Sequence, residues 1–143
     1  MKTRDSLNAA EALVLTMVLV SAADGGITDR EIGVMSGQVQ TLPVFQDFTT
    51  DQLVDVTDAA VGLLRDTDGL DHAARLIRAA LPQNLRETAY ALACEIIAGD
   101  RGRKEASLRM LEFVRDELGL DPLVTAAIER TVRARHQRLP QSD

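Results

Sequence analysis

The fold of this chain is organised around the stretch Ala-Ala-Asp-Gly-Gly-Ile-Thr-Asp-Arg-Glu, residues 22–31, which ends one apolar run and begins an amphipathic one. Gly25 and Gly26 can end a helix, because glycine adopts the left-handed conformation found at helix C-termini. Thr28 and Glu31 follow with the spacing of a capping box, which starts the next helix. The stretch therefore predicts two helices joined by a tight acidic turn, which we call the first corner.

The composition favours an all-helical domain. Hydrophobic residues make up 45% of the 143 residues, aromatic residues only 3%, and there are 4 prolines. A core so poor in aromatic side chains must be built from Leu, Val, Ile, Ala and Met, which favours helices over a β-sandwich. The length suits one hydrophobic core. We therefore expect an all-α bundle of about seven helices in a single domain, residues 1–143, with a polar tail that frays from about residue 134.

Apolar periodicity and turn residues place the helices at about 5–23, 29–41, 50–66, 70–80, 82–98, 104–118 and 122–133. The first helix, with Asp5 as its expected N-cap, and the fifth are apolar on most sides, so we expect both at the centre of the bundle. Thr49 and Gln52 predict a further capping box. Several apolar residues of the outer helices are expected to face the core: Ile32, Leu108, Leu123 and Ala127.

An internal repeat is predicted when Asp24 is aligned with Asp100. The segment Ala-Gly-Asp-Arg-Gly, residues 98–102, then forms a second corner, and Ile32 aligns with Leu108. Each half of the chain would consist of a buried helix, an acidic corner and an amphipathic helix. The second corner departs from the first, because Ser107 stands where the first copy has Glu31.

Residues 22–31 resemble the first signature of the TerB-like tellurite-resistance family. Residues 98–100, followed by a helix that ends in Leu-Gly-Leu-Asp at 118–121, resemble the second signature. The similarity covers nearly the whole chain in helix order and length. It implies a bacterial, non-enzymatic bundle of about seven helices that acts in tellurite resistance or stress response. It also implies metal cations bound at the acidic corners and, in many contexts, membrane-associated complexes.

The candidate metal ligands are carboxylates at or near the two corners: Asp24, Glu31, Asp100 and Glu105. Carboxylate oxygens suit hard cations, and Ca²⁺, Mg²⁺, Mn²⁺ and Zn²⁺ all stay open as the divalent cation. A regular EF-hand loop is excluded, because Val20 and Ala22 stand at the first two ligand positions and have no side-chain oxygen. The alternative is that Asp24 and Glu31 only cap the ends of the helices.

A protein partner is predicted from the third helix, where Asp51, Asp55 and Asp58 share one face through i, i+4, i+7 spacing. We interpret this acidic face as a docking surface for a basic partner, with a merely solvated surface as the alternative. Residues 1–100 carry 7 basic and 15 acidic residues, whereas residues 101–139 carry 9 and 6. The net charge of −6 disfavours nucleic acid as the partner. The sequence leaves the oligomeric state open.

Catalysis is not indicated. Cys94 is the single cysteine, His72 and His136 have no companion at ligand spacing, and there is no glycine-rich phosphate loop. A metal-dependent enzyme is the weaker alternative, and a metal-free scaffold or regulatory module is the other. Residues 12–23 form an apolar run too short to span a bilayer, and residues 21–23 resemble a leader cleavage site only slightly. We therefore expect a cytoplasmic protein without a transmembrane segment.

Overall fold

The computed structural model describes residues 6–98 and 105–141, and this part of the chain is helical throughout, without strands. The α-helices are α1 (Ala9–Ala22), α2 (Asp29–Thr41), α3 (Thr50–Leu64), α4 (Gly69–Ala80), α5 (Gln83–Ala98), α6 (Glu105–Leu118) and α7 (Pro122–Arg135). A short 3₁₀ turn, Pro43–Phe45, follows α2. The predicted all-α class and number of helices are confirmed.

The core is built around α1 and α5, which pack against each other more extensively than any other pair of helices in the described chain. Every residue of α1 from position 11 to position 21 is buried. Val14 and Val18 of α1 and Ala93 of α5 have no exposed surface. The predicted central position of these two helices is therefore confirmed, and it follows from their apolar surface, which only burial on most sides can remove from water.

The outer helices pack on this central pair in a reciprocal manner. Helix α3 packs on α1 and α7 packs on α5, while α2 contacts α5 and α6 contacts α1. The outer helices of the first and second halves of the chain therefore make similar contacts with the α1–α5 pair. The repeat in the sequence stays a prediction. This packing places α3 and α7 on different central helices.

Capping boxes fix the starts of three helices. The Thr28–Glu31 box starts α2 and the Thr49–Gln52 box starts α3, as predicted. The predicted start of α1 near Asp5 is wrong, because Asn8 caps this helix. The Oδ1 atom of Asn8 accepts a hydrogen bond from the Glu11 amide at 2.8 Å, and the Glu11 carboxylate accepts one from the Asn8 amide at 2.9 Å. Asp5 lies outside the described residues.

Some of the apolar residues expected in the core are exposed instead. Ile32 is 48% exposed, Leu108 38% and Leu123 81%, and Ala127 is also exposed. In α2 the buried face consists of Glu31, Met35 and Val39, so Ile32 is rotated away from the core. Ile32 lies in the first turn of α2, at the edge of the face that packs on α3 and α5, and it stays exposed there.

The helices of the described ranges are too short or too polar to cross a bilayer.

Candidate functional site

At the first corner, Gly25 has the positive φ that the sequence predicts and Gly26 does not. Helix α1 ends at Ala22, whose carbonyl oxygen accepts a hydrogen bond from the Gly25 amide at 3.1 Å. Gly25 has φ +111°, a backbone conformation that residues other than glycine rarely adopt. Thr28 then caps α2. The local sequence rules therefore account for the path of the chain between the two helices.

Glu31 is committed to the helix cap. Its side chain is 6% exposed, and Oε1 accepts hydrogen bonds from the Thr28 amide at 2.9 Å and from the Thr28 hydroxyl at 3.0 Å. The Thr28 hydroxyl oxygen in turn accepts a hydrogen bond from the Glu31 amide at 3.2 Å. A cation that bound Oε1 would have to compete with these two hydrogen-bond donors. Oε1 therefore serves first as a cap of the helix.

The other predicted ligands are placed differently. Asp24 is half-buried at the first corner, whereas Glu105 is exposed on α6 and forms an ion pair with Arg109 one turn along the same helix. Asp100 lies outside the described residues. Among residues 6–98 and 105–141, no group of three or more His, Cys, Asp or Glu side chains is arranged to hold a metal ion. Metal binding at the corners therefore stays a prediction.

Substitutions at the first corner separate capping from metal binding. Because Gln can replace Glu in a capping box, we expect Glu31→Gln to change the free energy of unfolding by about 0.5 kcal/mol or less. Thr28→Ala removes the cap itself and should cost roughly 1 kcal/mol, measured by chemical denaturation. A melting temperature that rises in millimolar Ca²⁺, Mg²⁺, Mn²⁺ or Zn²⁺, and no longer rises in Asp24→Asn and Glu31→Gln, would establish a cation site.

The acidic face of α3 is open to solvent. Asp51, Asp55 and Asp58 are all exposed, and none of the three hydrogen bonds or ion-pairs with a side chain in the described part of the protein. Val54 lies on the same face and is 57% exposed. The helix therefore presents three carboxylates with one apolar side chain among them.

A polar cluster that the sequence did not predict joins α5 to the C-terminal end of α7. The Glu95 carboxylate is buried, and Oε1 accepts a hydrogen bond from Arg135 Nε at 2.6 Å. The His136 imidazole places Nε2 2.7 Å from the other oxygen of Glu95. Burial opposes the charged form of Glu95, but the hydrogen bonds with His136 and Arg135 outweigh it, so its pKa lies below the usual glutamate value.

A second pair of residues extends this cluster along the same two helices. The Tyr90 hydroxyl donates a hydrogen bond to Glu129 Oε2 at 2.5 Å, and burial together with this bond raises the pKa of Tyr90 well above its usual value. Burial also raises the pKa of the neighbouring Cys94 thiol to about 12. The thiol is therefore protonated at neutral pH and a poor nucleophile, and Cys94 packs in the core as a small buried residue.

The cluster lies at the predicted end of the last helix. Helix α7 continues to Arg135, two residues beyond its predicted end, and both Arg135 and His136 bind Glu95. The signal was Glu95 itself, a charged residue inside the otherwise buried run of residues 92–97. A charge at such a position needs a partner from elsewhere in the chain. We interpret the cluster as a clamp between α5 and α7, since each of its carboxylates is already paired.

The clamp predicts a loss of stability in acid. Because the pKa of Glu95 is lowered in the folded state, its contribution is fully present above the unfolded glutamate pKa of about 4.3 and is lost as the pH falls through the folded pKa. We therefore expect Glu95→Gln to be less stable than the parent at neutral pH, and the difference to shrink in acid. Denaturation curves across this pH range measure it. Glu105→Gln, at an exposed ion pair, serves as the control and should show little change.

Comparison with known proteins returned no match among protein-family models, curated proteins or solved structures. The resemblance to the TerB-like family therefore rests on the two sequence signatures and on the order and length of the helices.

Proposed function

We propose that this protein is a non-enzymatic, TerB-like interaction module that binds a partner protein with a basic surface through the acidic face of α3, Asp51, Asp55 and Asp58. The observation that supports the proposal is that these three exposed carboxylates share one face of α3, at i, i+4, i+7 spacing, together with the exposed Val54. Within residues 6–98 and 105–141, Glu31, Glu95 and Glu105 are each bound to a donor or a cation, whereas the three aspartates have no such partner.

The spacing of the three aspartates supports the proposal. Like charges at i, i+4 repel each other by a few tenths of a kcal/mol, so this face contributes nothing to the stability of the helix beyond the favourable position of Asp51 in its first turn. The same charges would steer a basic surface toward the protein and favour its correct orientation. The role in tellurite resistance or stress response comes from the family resemblance, and it gives the setting in which a partner should be sought.

The chemistry of the core supports a role without catalysis. The buried Cys94 thiol is protonated, and the carboxylates near it, Glu95 and Glu129, are held in hydrogen bonds between α5 and α7. No group in this cluster is left poised as a base or nucleophile. An interaction module needs only a stable bundle with an accessible face, which the acidic face of α3 provides.

The experiment that tests the proposal is affinity capture from cells with the triple variant Asp51→Asn, Asp55→Asn, Asp58→Asn. The parent should capture at least one basic protein that the triple variant loses, and the purified partner should bind the parent more weakly as salt is raised. The matched control replaces three exposed aspartates that follow α3, Asp66, Asp68 and Asp71, by Asn and should retain the partner. Identical sets of captured proteins for all three forms would contradict the proposal.

Stability must be unaffected for this experiment to be conclusive. Because the replaced carboxylates repel one another, we expect Asp55→Asn or Asp58→Asn alone to be neutral or to stabilise the fold by roughly 0.2–0.5 kcal/mol. Thermal unfolding followed by circular dichroism measures this. A clear loss of stability in either variant would show that the aspartates have a structural role, contrary to their exposure.

A further inference from the structure

We infer that the partner of the acidic face of α3 is the exposed face of α7 on a second copy of this chain, so that copies associate head to tail. This inference rests on the proposed function, because it names the partner of the same surface. It is carried by the charge and apolar complementarity of two helix faces that the fold leaves open.

The exposed face of α7 consists of Leu123, Ala127, Arg130 and Arg133, all of which are exposed. Arg130 and Arg133 are neighbours on the helix surface through i, i+3 spacing, and neither forms an ion pair with a residue of the described ranges. Leu123, about two turns before Arg130 and about three before Arg133, is 81% exposed. This face therefore combines two unpaired cations with a solvent-exposed leucine.

The two faces match each other in charge and in apolar content. On the acidic face of α3 the exposed Val54 is a helical neighbour of Asp51 and Asp58, and on the face of α7 the exposed Leu123 lies about two turns from Arg130. Contact of the two would bury both apolar side chains and bring opposite charges together. Contact between two copies of the α3 face would instead oppose like charges. The complementarity thus selects an α3-to-α7 contact over a symmetric one.

The fold prevents one molecule from satisfying both faces itself. Helix α3 packs on α1 and α7 packs on α5, and α3 and α7 are not packed against each other to any comparable extent. Each copy can therefore offer its α3 to one neighbour and its α7 to another. A contact between different surfaces of identical molecules is heterologous and produces rings or open chains.

The expected association is weak and sensitive to salt. A single helix face offers less surface than the roughly 800 Å² that each partner contributes to a standard stable interface. Exposed ion pairs contribute about 0–1 kcal/mol each and are screened by salt. Association should therefore be visible at an ionic strength of about 0.01 M, where the Debye length is near 30 Å, and be lost near 1 M, where it is about 3 Å.

The test is sedimentation of the parent and of two charge-reversed variants. The parent should sediment above the 15.6 kDa monomer mass as its concentration rises at low salt, and as a monomer at high salt. Asp51→Lys with Asp55→Lys, and Arg130→Glu with Arg133→Glu, should each be monomeric alone. An equimolar mixture of the two variants should associate again, because each then offers the face that the other needs. Asp66→Lys with Asp68→Lys carries the same charge change outside the α3 face and is the control.

The inference is overturned if the parent stays monomeric at low salt, if either variant self-associates like the parent, or if the mixture stays monomeric. Circular dichroism establishes that each variant is folded, and Asp51→Asn with Asp55→Asn, which should also abolish association, replaces a charge-reversed form that does not fold. A monomeric parent whose triple Asn variant still loses a captured basic protein would remove only this inference. A monomeric parent whose triple Asn variant captures the same proteins would remove the proposed function as well.

Discussion

Replacement of Val18 by Asp will leave the protein unfolded, whereas replacement of Val54 by Asp will leave it folded. Val18 has no exposed surface and lies in α1, at the centre of the bundle. A carboxylate introduced at this position would be buried without a hydrogen-bonding or charged partner, which costs several kcal/mol or more. Since whole domains are stable by only about 5–15 kcal/mol, this cost removes most or all of the stability.

The control, Val54→Asp, makes the same chemical change on a side chain that is 57% exposed. It adds a fourth carboxylate to the acidic face of α3, and the added repulsion should cost only a few tenths of a kcal/mol per pair. Circular dichroism and thermal unfolding of the two variants measure the difference. A cooperative melting transition in Val18→Asp close to that of the parent would show that α1 is not the centre of the fold.

The second large effect is expected at Tyr90, and two substitutions divide it into its parts. Tyr90 is fully buried in α5, so Tyr90→Ala should destabilise the fold by about 3–5 kcal/mol, as truncation of buried aromatic side chains does. Tyr90→Phe keeps the ring and removes only the hydroxyl that donates to Glu129. We expect it to cost roughly 1–3 kcal/mol, because the lost hydrogen bond has a charged acceptor.

Urea denaturation of the two Tyr90 variants, compared with Glu129→Gln, measures these values. Glu129→Gln keeps an acceptor for the hydroxyl and should cost less than Tyr90→Phe, since the bond becomes neutral without being removed. If Tyr90→Phe and Tyr90→Ala were equally destabilising, the ring would contribute nothing to the packing of α5. If Tyr90→Phe were neutral, the hydroxyl would not tie α5 to α7.

The local features of this fold could be predicted because they depend on residues close together in the chain. Gly25 and the Thr28–Glu31 capping box fix the first corner through contacts that span three residues or fewer. The central position of α1 could also be predicted, since a helix that is apolar on all sides has only one environment available. The starts of α2 and α3 follow the same capping rule.

The orientation of the outer helices was less predictable. Ile32 and Leu108 stand at equivalent positions of the predicted repeat, and both are exposed. An apolar side chain next to a buried row can face either the core or the solvent. Which of the two occurs depends on how the helix packs against its neighbours. In α2 the buried row consists of Glu31, Met35 and Val39, and Ile32 lies beside it.

The contacts of the α5–α7 clamp could not be predicted from the spacing of residues in the sequence. Arg135 and His136 lie about 40 residues from Glu95 in the chain, and only the tertiary fold brings them together. The sequence did indicate that Glu95 needs a partner, because it is a charged residue in an apolar run. The shared face of Asp51, Asp55 and Asp58 was predictable, because the three residues lie within eight positions of one helix.

The most direct test of the central claim is an NMR titration of the isotopically labelled protein with a short oligolysine peptide. This probe is purely cationic, so it reports which acidic surface of the folded protein is accessible to a basic partner. We expect the largest chemical-shift changes at backbone amides of residues 50–59 in α3, and we expect high salt to abolish these changes. Largest shifts at residues 22–31, or shifts spread evenly over all acidic residues, would contradict the claim.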